Sequence, residues 1–251
     1  MALALGLRRL LLLFAVAAIH QLPRSARAGD PDILTDFLAP LGAEPDQLNG
    51  TFFTYARLVS GLAGDPGKFT VSKATGAEFP ALLGQSVSYA ALVFGPGTVN
   101  PPHIHPRASE LLVVVQGPLV VGLVDAARNG TVHTAALETG DMFVFPKGMV
   151  HYQLNNGTGV ARAFSAFGGA TPGTISLPTA LFETDIDDAV LEKSFRTDEA
   201  TVEELKHDLR EAPGPAPSPS PSPSSAAVAL VGGSPLAASL VCAAAAFSFV
   251  L

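Results

Sequence analysis

Cysteine is nearly absent: the 251-residue chain has one, Cys242, close to its C-terminal end. No disulfide framework can form within one copy, which excludes the small stapled scaffolds of secreted proteins and any multi-cysteine metal site. Charge is also scarce, at 15% of residues, with a net charge of −7 and no cluster of Lys and Arg. A nucleic-acid surface needs such a cluster against phosphate, so that class of partner is excluded. Nor does the apolar stretch near the start, Leu10 to Ile19, reach the ~20 residues that a bilayer core demands. What the chain has in quantity is hydrophobic residues, 48% of the total. With so little charge, this is the composition of a packed globule rather than a disordered chain.

The two ends carry processing signatures. Residues 1–28 combine Arg8 and Arg9, an apolar stretch from Leu10 to Ile19 and a closing Ala26-Arg27-Ala28. These are the basic start, apolar middle and small-x-small cleavage site of a secretory signal peptide, after which the mature chain begins at Gly29. A membrane anchor is the competing reading, but the stretch is too short to span. At the other end a Pro/Ser-rich linker, 212–225, leads into an apolar tail that ends at Leu251. Small residues at Ser224, Ser225 and Ala226, a spacer over 227–235 and an uncharged tail from Leu236 onward fit a GPI-anchor signal. The expected attachment site is Ser225, with residues 226–251, Cys242 among them, removed. A transmembrane helix competes with this, against the shortness of the run and the lack of a following Lys or Arg. Three Asn-Gly-Thr sequons, at Asn49, Asn129 and Asn156, lie in turn-like contexts and add glycosylation to the case for export.

Between Thr51 and Thr174, short Val-, Leu- and Phe-rich runs alternate with Gly, Pro and Asn at roughly ten-residue intervals, without a helical period. That is the pattern of an all-β sandwich or barrel. Strands are expected over 86–94, 111–117, 118–125, 141–145 and 149–154. From Pro178 the spacing of Val190, Leu191, Phe195, Val202 and Leu205 changes to three and four, which predicts two or three short helices capped by Asp185 and Thr197. They end before the linker.

Two stretches carry chemistry. In "GTVNPPHIHPRASELLVVVQG", 97–117, His103 and His105 share a face if they end a strand, while Glu110 has the opposite parity. The Pro106-Arg107-Ala108 corner resolves this if Glu110 opens the next strand and the three converge across the turn. In "GDMFVFPKGMVHYQLN", 140–155, a strand turns through Pro146-Lys147-Gly148 and returns with His151, Gln153 and Asn155 on one face. Three neutral imidazoles and one carboxylate leave open positions in an octahedral shell for water, dioxygen or a bidentate substrate, where a structural zinc site would be closed. Ligand type alone does not separate manganese from iron, nickel, copper or zinc. Asn155 is the candidate for polar support beside this site; the alternative is that it caps the turn before Asn156-Gly157.

Taken together the stretches resemble the two signatures of the cupin superfamily. Gly97, His103-x-His105, Glu110 and Gly117 match the first at every fixed position, and Gly140, Pro146-x-Gly148, His151 and Asn155 match the second. "GDPDILTDF" after the signal site, "NPPHIHPRASE" and the helical tail resemble, more narrowly, the germin-like proteins of plants. The resemblance covers Gly29 to about Arg210, so that the domain runs over 29–211. It implies a jelly-roll β-barrel with short C-terminal α-helices and a manganese ion on His103, His105, Glu110 and His151. It also implies a homo-hexamer built as a trimer of dimers, placed in the apoplast or cell wall. The chain departs from the family at Leu38, where relatives carry the first cysteine of an N-terminal disulfide. The N-terminal segment must therefore be held by packing, or be looser.

The resemblance implies an extracellular oxidoreductase that yields hydrogen peroxide from a small substrate, by dismutating superoxide or oxidising oxalate, with a role in plant defence. Oxalate-oxidising relatives place two asparagines near the metal; Asn100 matches one, and Ala90 stands where the other would be. Superoxide dismutation without oxalate oxidation is the expectation. The alternative is a non-catalytic wall or surface protein whose metal stabilises the barrel. A zinc isomerase or lyase is a third reading, since one fold hosts many chemistries.

Overall fold

The computed structural model describes residues 29–211. The signal peptide over 1–28, the linker and tail over 212–251, and Ser225 lie outside the described residues. Ten strands form two five-stranded antiparallel sheets. One has the order β1 (Phe69–Ala74), β2 (Ser88–Phe94), β9 (Ala161–Phe167), β4 (Glu110–Gln116), β7 (Met142–Phe145). The other has β10 (Ile175–Ser176), β3 (Val99–Ile104), β8 (His151–Leu154), β5 (Leu119–Asp125), β6 (Thr131–Leu137). Alternation along each strand decides which side chains enter the space between the sheets. In β9, Ala161, Ala163, Ser165 and Phe167 are buried, and the residues between them are half-exposed. Leu92, Phe94, Leu112, Leu119, Val121 and Phe145 are among the members of that core.

Five strands fall where the runs place them. The regions around β1, β6 and β9 carry weaker signals: β1 is half-buried almost throughout, and β6 is mostly exposed. Three helices follow: α1 (Leu177–Phe182), α2 (Asp188–Phe195) and α3 (Glu199–Glu211). Phe182, Leu191 and Val202 form their common core. The caps are not the expected ones. Asp187 accepts the Ala189 N–H at 2.9 Å to start α2, and Asp198 accepts the Thr201 N–H at 2.9 Å to start α3. Asp185 and Thr197 sit outside those first turns, because a cap must immediately precede the N–H groups it satisfies.

The N-terminal segment is held without a disulfide. The Asp30 carboxylate accepts N–H groups from Ser86 at 3.1 Å and Ala170 at 2.9 Å, and the Asp30 N–H donates to the Ser86 hydroxyl at 3.1 Å. Beside Leu38, the Phe53 ring packs edge to face with Phe37 and Phe52, with centroids 5.2 and 4.9 Å apart, and Phe37 and Phe52 are tilted toward each other at 6.5 Å.

Candidate metal centre

His103 on β3 stands directly opposite His151 on β8 in one sheet, while Glu110 opens β4 in the other. The Pro106–Ser109 corner carries the chain between the sheets, so the parity conflict in the sequence disappears. Two turns bring the second stretch to the first. Gly140 and Gly148 have φ of +97° and +74°, a region that costs a side chain dearly and glycine little. The Gly148 N–H then donates to the His105 carbonyl at 3.0 Å, tying both stretches together beside the site.

His103, His105, Glu110 and His151 are all buried, and one ligand atom from each lies within 4.8 Å of the others. Each imidazole is oriented by a backbone carbonyl at Nδ1: Pro101 at 2.8 Å for His103, Gly173 at 2.5 Å for His105 and Met149 at 2.8 Å for His151. A carbonyl only accepts, so Nδ1 carries the proton and the Nε2 lone pair faces inward. Rings complete the support. Phe145 stacks on His151 at 4.3 Å, and Phe167 meets His105 edge-on at 4.8 Å.

The Glu110 Oε2 lies 2.9 Å from His105 Nε2 and 3.2 Å from His151 Nε2. With Nδ1 protonated, these contacts bring lone pairs together unless a cation stands between them or each imidazole takes a second proton. At His103, burial opposes a second proton and pushes the imidazole down to about 4, helped by the neighbouring His151. For Glu110, burial alone would raise the carboxyl, but without a metal ion His105 and His151 can each take a second proton at Nε2 and donate to it, which outweighs burial and holds it well below the usual range. Adjacent corners of an octahedral shell with bonds of ~2.1 Å lie about 3 Å apart. The donor set therefore fits a divalent cation, and the four residues form a metal-binding group.

Sequence reasoning missed Ser165, whose hydroxyl donates to Glu110 Oε1 at 2.5 Å and leaves Oε2 facing the imidazoles. Its signal was a lone polar residue at inward parity in "ARAFSAF". Asn100 lines the adjoining cavity and donates to Gln153 Oε1 at 2.7 Å. Ala90 lines the same cavity. Asn155, the candidate for polar support beside the site, takes the alternative role, a backbone clamp that caps the turn at Asn156-Gly157. Its amide nitrogen donates to the carbonyls of Phe94, Gly95 and Gly159 and its oxygen accepts the Gly157 N–H, so every polar atom is engaged away from the cavity. The sequon residues Asn49, Asn129 and Asn156 are exposed.

Residues 63–203 match the Cupin family. Germin-like protein 9-1 of Oryza sativa subsp. japonica is 75% identical over 185 residues, 73% of this chain and 75% of that protein. Germin-like protein subfamily T member 2 of Arabidopsis thaliana is 39% identical, over 79% of this chain and 93% of its own length. Among solved structures, oxalate oxidase in complex with the substrate analogue glycolate superposes with a TM-score of 0.67 at 31% identity, covering 71% of this chain and 97% of that one. Two facing sheets, a buried three-histidine, one-glutamate group and relatives that agree over most of their length together make this chain a germin-like member of the cupin family.

Proposed function

We propose that the chain is an exported manganese-dependent oxidoreductase that generates hydrogen peroxide, with superoxide as its simplest substrate. The observation that carries this reading is the set of three inward Nε2 atoms and one carboxylate oxygen, of which His103, His105 and Glu110 line an accessible cavity of about 720 Å³. A metal bound there supplies an electron acceptor and donor that cycles between two oxidation states, so that two superoxide ions and two protons give dioxygen and hydrogen peroxide. The residues hold it: three imidazoles locked by carbonyls, and Glu110 turned by Ser165. Manganese is the ion expected from the family, on His103, His105, Glu110 and His151. Metal analysis and superoxide consumption by the purified protein test the reading; activity that survives Glu110→Ala overturns it.

Oxalate is a poorer substrate on this reading. Asn100 is engaged by Gln153, and Ala90 offers no donor. An oxalate oxygen left unpaired in the cavity loses about 1–3 kcal/mol, roughly tenfold to hundredfold in rate if felt in the transition state. Little peroxide should form from oxalate, and Ala90→Asn should increase it; robust wild-type turnover refutes the argument.

The same proposal places the protein in the apoplast as a glycosylated homo-hexamer, a trimer of dimers, held in part by a GPI lipid at Ser225. Support comes from the order of small residues, spacer and tail, and from the exposed sequons. No helix among the described residues is long and apolar enough to cross a membrane. Phospholipase C should release the protein from intact membranes; full recovery in wall fluid without it counts against the lipid.

A further inference from the structure

The cavity beside the metal-binding group is far larger than superoxide needs. At about 720 Å³ it has the volume of sites that enclose drug-sized ligands. Its inner wall is apolar, built from Phe69, Val71, Ala90, Leu92 and Phe167. Period-two alternation along β1 brings Lys73 to the same side as Phe69 and Val71, and Lys73 lines the cavity half-buried.

The other charged residues on the lining are already engaged. Glu110 is held by His105, His151 and Ser165. Lys68 pairs with Asp65 at 3.8 Å, and Arg107 donates to the Thr171 carbonyl at 2.6 Å. Glu78 accepts the Thr75 N–H and hydroxyl at 3.0 and 2.6 Å, and Glu183 accepts the Thr179 hydroxyl at 3.2 Å. Among the described residues, the Lys73 ammonium alone on this lining has no hydrogen-bond or ion-pair partner. A half-hidden cation loses hydration that an anion restores.

Register fixes how far that cation is from the chemistry. Lys73 stands opposite Ala90, and Ala90 stands opposite Ser165, whose hydroxyl touches Glu110. Two inter-strand steps separate the Lys73 and Ser165 backbones by about 10 Å. Between them Ala90 contributes only a methyl group, which leaves the row open.

We propose that Lys73 anchors the anionic head of an organic substrate whose flat apolar body lies over Ala90, between Leu92 and Phe167, and whose far end meets the metal-binding group. The ligand class is an aromatic-sized monocarboxylate. This rests on the metal-centred reading above and adds to it a substrate other than superoxide.

The test is calorimetric binding of trans-cinnamate to the metal-loaded protein, with cinnamyl alcohol as its neutral counterpart and oxalate as an anion without an apolar body. Cinnamate should bind, the alcohol and oxalate at least about tenfold more weakly, as expected for a charge-assisted contact. Lys73→Met should weaken cinnamate by a similar factor, and Lys73→Arg should retain it. Equal binding of acid and alcohol overturns the proposal without any variant. So does oxalate binding as tightly as cinnamate, or Lys73→Met binding like the wild type. Superoxide consumption by the same preparations is read separately. Its absence sinks the redox reading and leaves the anion site standing, and loss of charge-dependent binding does the reverse.

Discussion

At each metal-binding residue, one hydrogen bond determines what the side chain offers. A carbonyl on Nδ1 fixes the tautomer of His103, His105 and His151, so replacing any of them by Ala should remove the metal and lower stability together. An ion at a thousandfold excess over its Kd stabilises the folded state by about 4 kcal/mol. Unchanged melting temperatures in all three variants, measured with and without metal, contradict the ligand assignment. Ser165→Ala should leave the ligands in place but strand a buried carboxylate oxygen, costing about 1–3 kcal/mol. That corresponds to roughly 2–4 °C of melting temperature per kcal/mol in a domain of this size. Acid should destabilise the metal-free protein. His103 has a folded value of about 4, below its ordinary 6.5, so its contribution is complete above 6.5 and is lost as pH falls toward 4. Glu110, also depressed, acts in the same direction below its ordinary 4.5. A melt series of the stripped protein that gains stability between pH 6.5 and 4 contradicts this.

Elements were legible where burial leaves a compositional trace. "SYAALVF" and "LVVGLVD" are buried over most of their length and read as strands without further help. By contrast "TVHTAAL" forms β6 with most of its side chains in solvent, and its pairing with β5 along seven residues holds it in place. Tertiary pairing of that kind leaves little mark on a local pattern. The four residues of the metal-binding group were legible because the two stretches that hold them match the cupin signatures at every fixed position; a lone His-x-His would have said little. Ser165 and Lys73 were not, because each depends on register with a strand distant in sequence. The helix caps failed for a smaller reason: several acidic residues crowd each start, and only backbone geometry selects Asp187 and Asp198. Asp198→Ala should therefore destabilise α3 and lower the melting temperature, while Asp185→Ala should change little. A thermal melt in which Asp185→Ala costs more reverses that assignment.

Across the whole molecule, the two sheets divide the work. One brings His103 and His151, the other Glu110 and Ser165, so a metal held by these residues would tie the two sheets together, and its removal should loosen the contact between sheets rather than a single loop. Hydrogen exchange on the stripped protein should accelerate on both β3 and β4; protection lost on one sheet alone is evidence against a bridging role. The attachment of the N-terminal segment matters for how the protein is made. Asp30 and three phenylalanine rings hold this segment, and residues 29–211 contain no thiol at all. The domain is thus indifferent to the reducing power of the compartment in which it folds. It should mature in a bacterial cytosol without oxidative enzymes, and dithiothreitol should leave its melting curve unmoved.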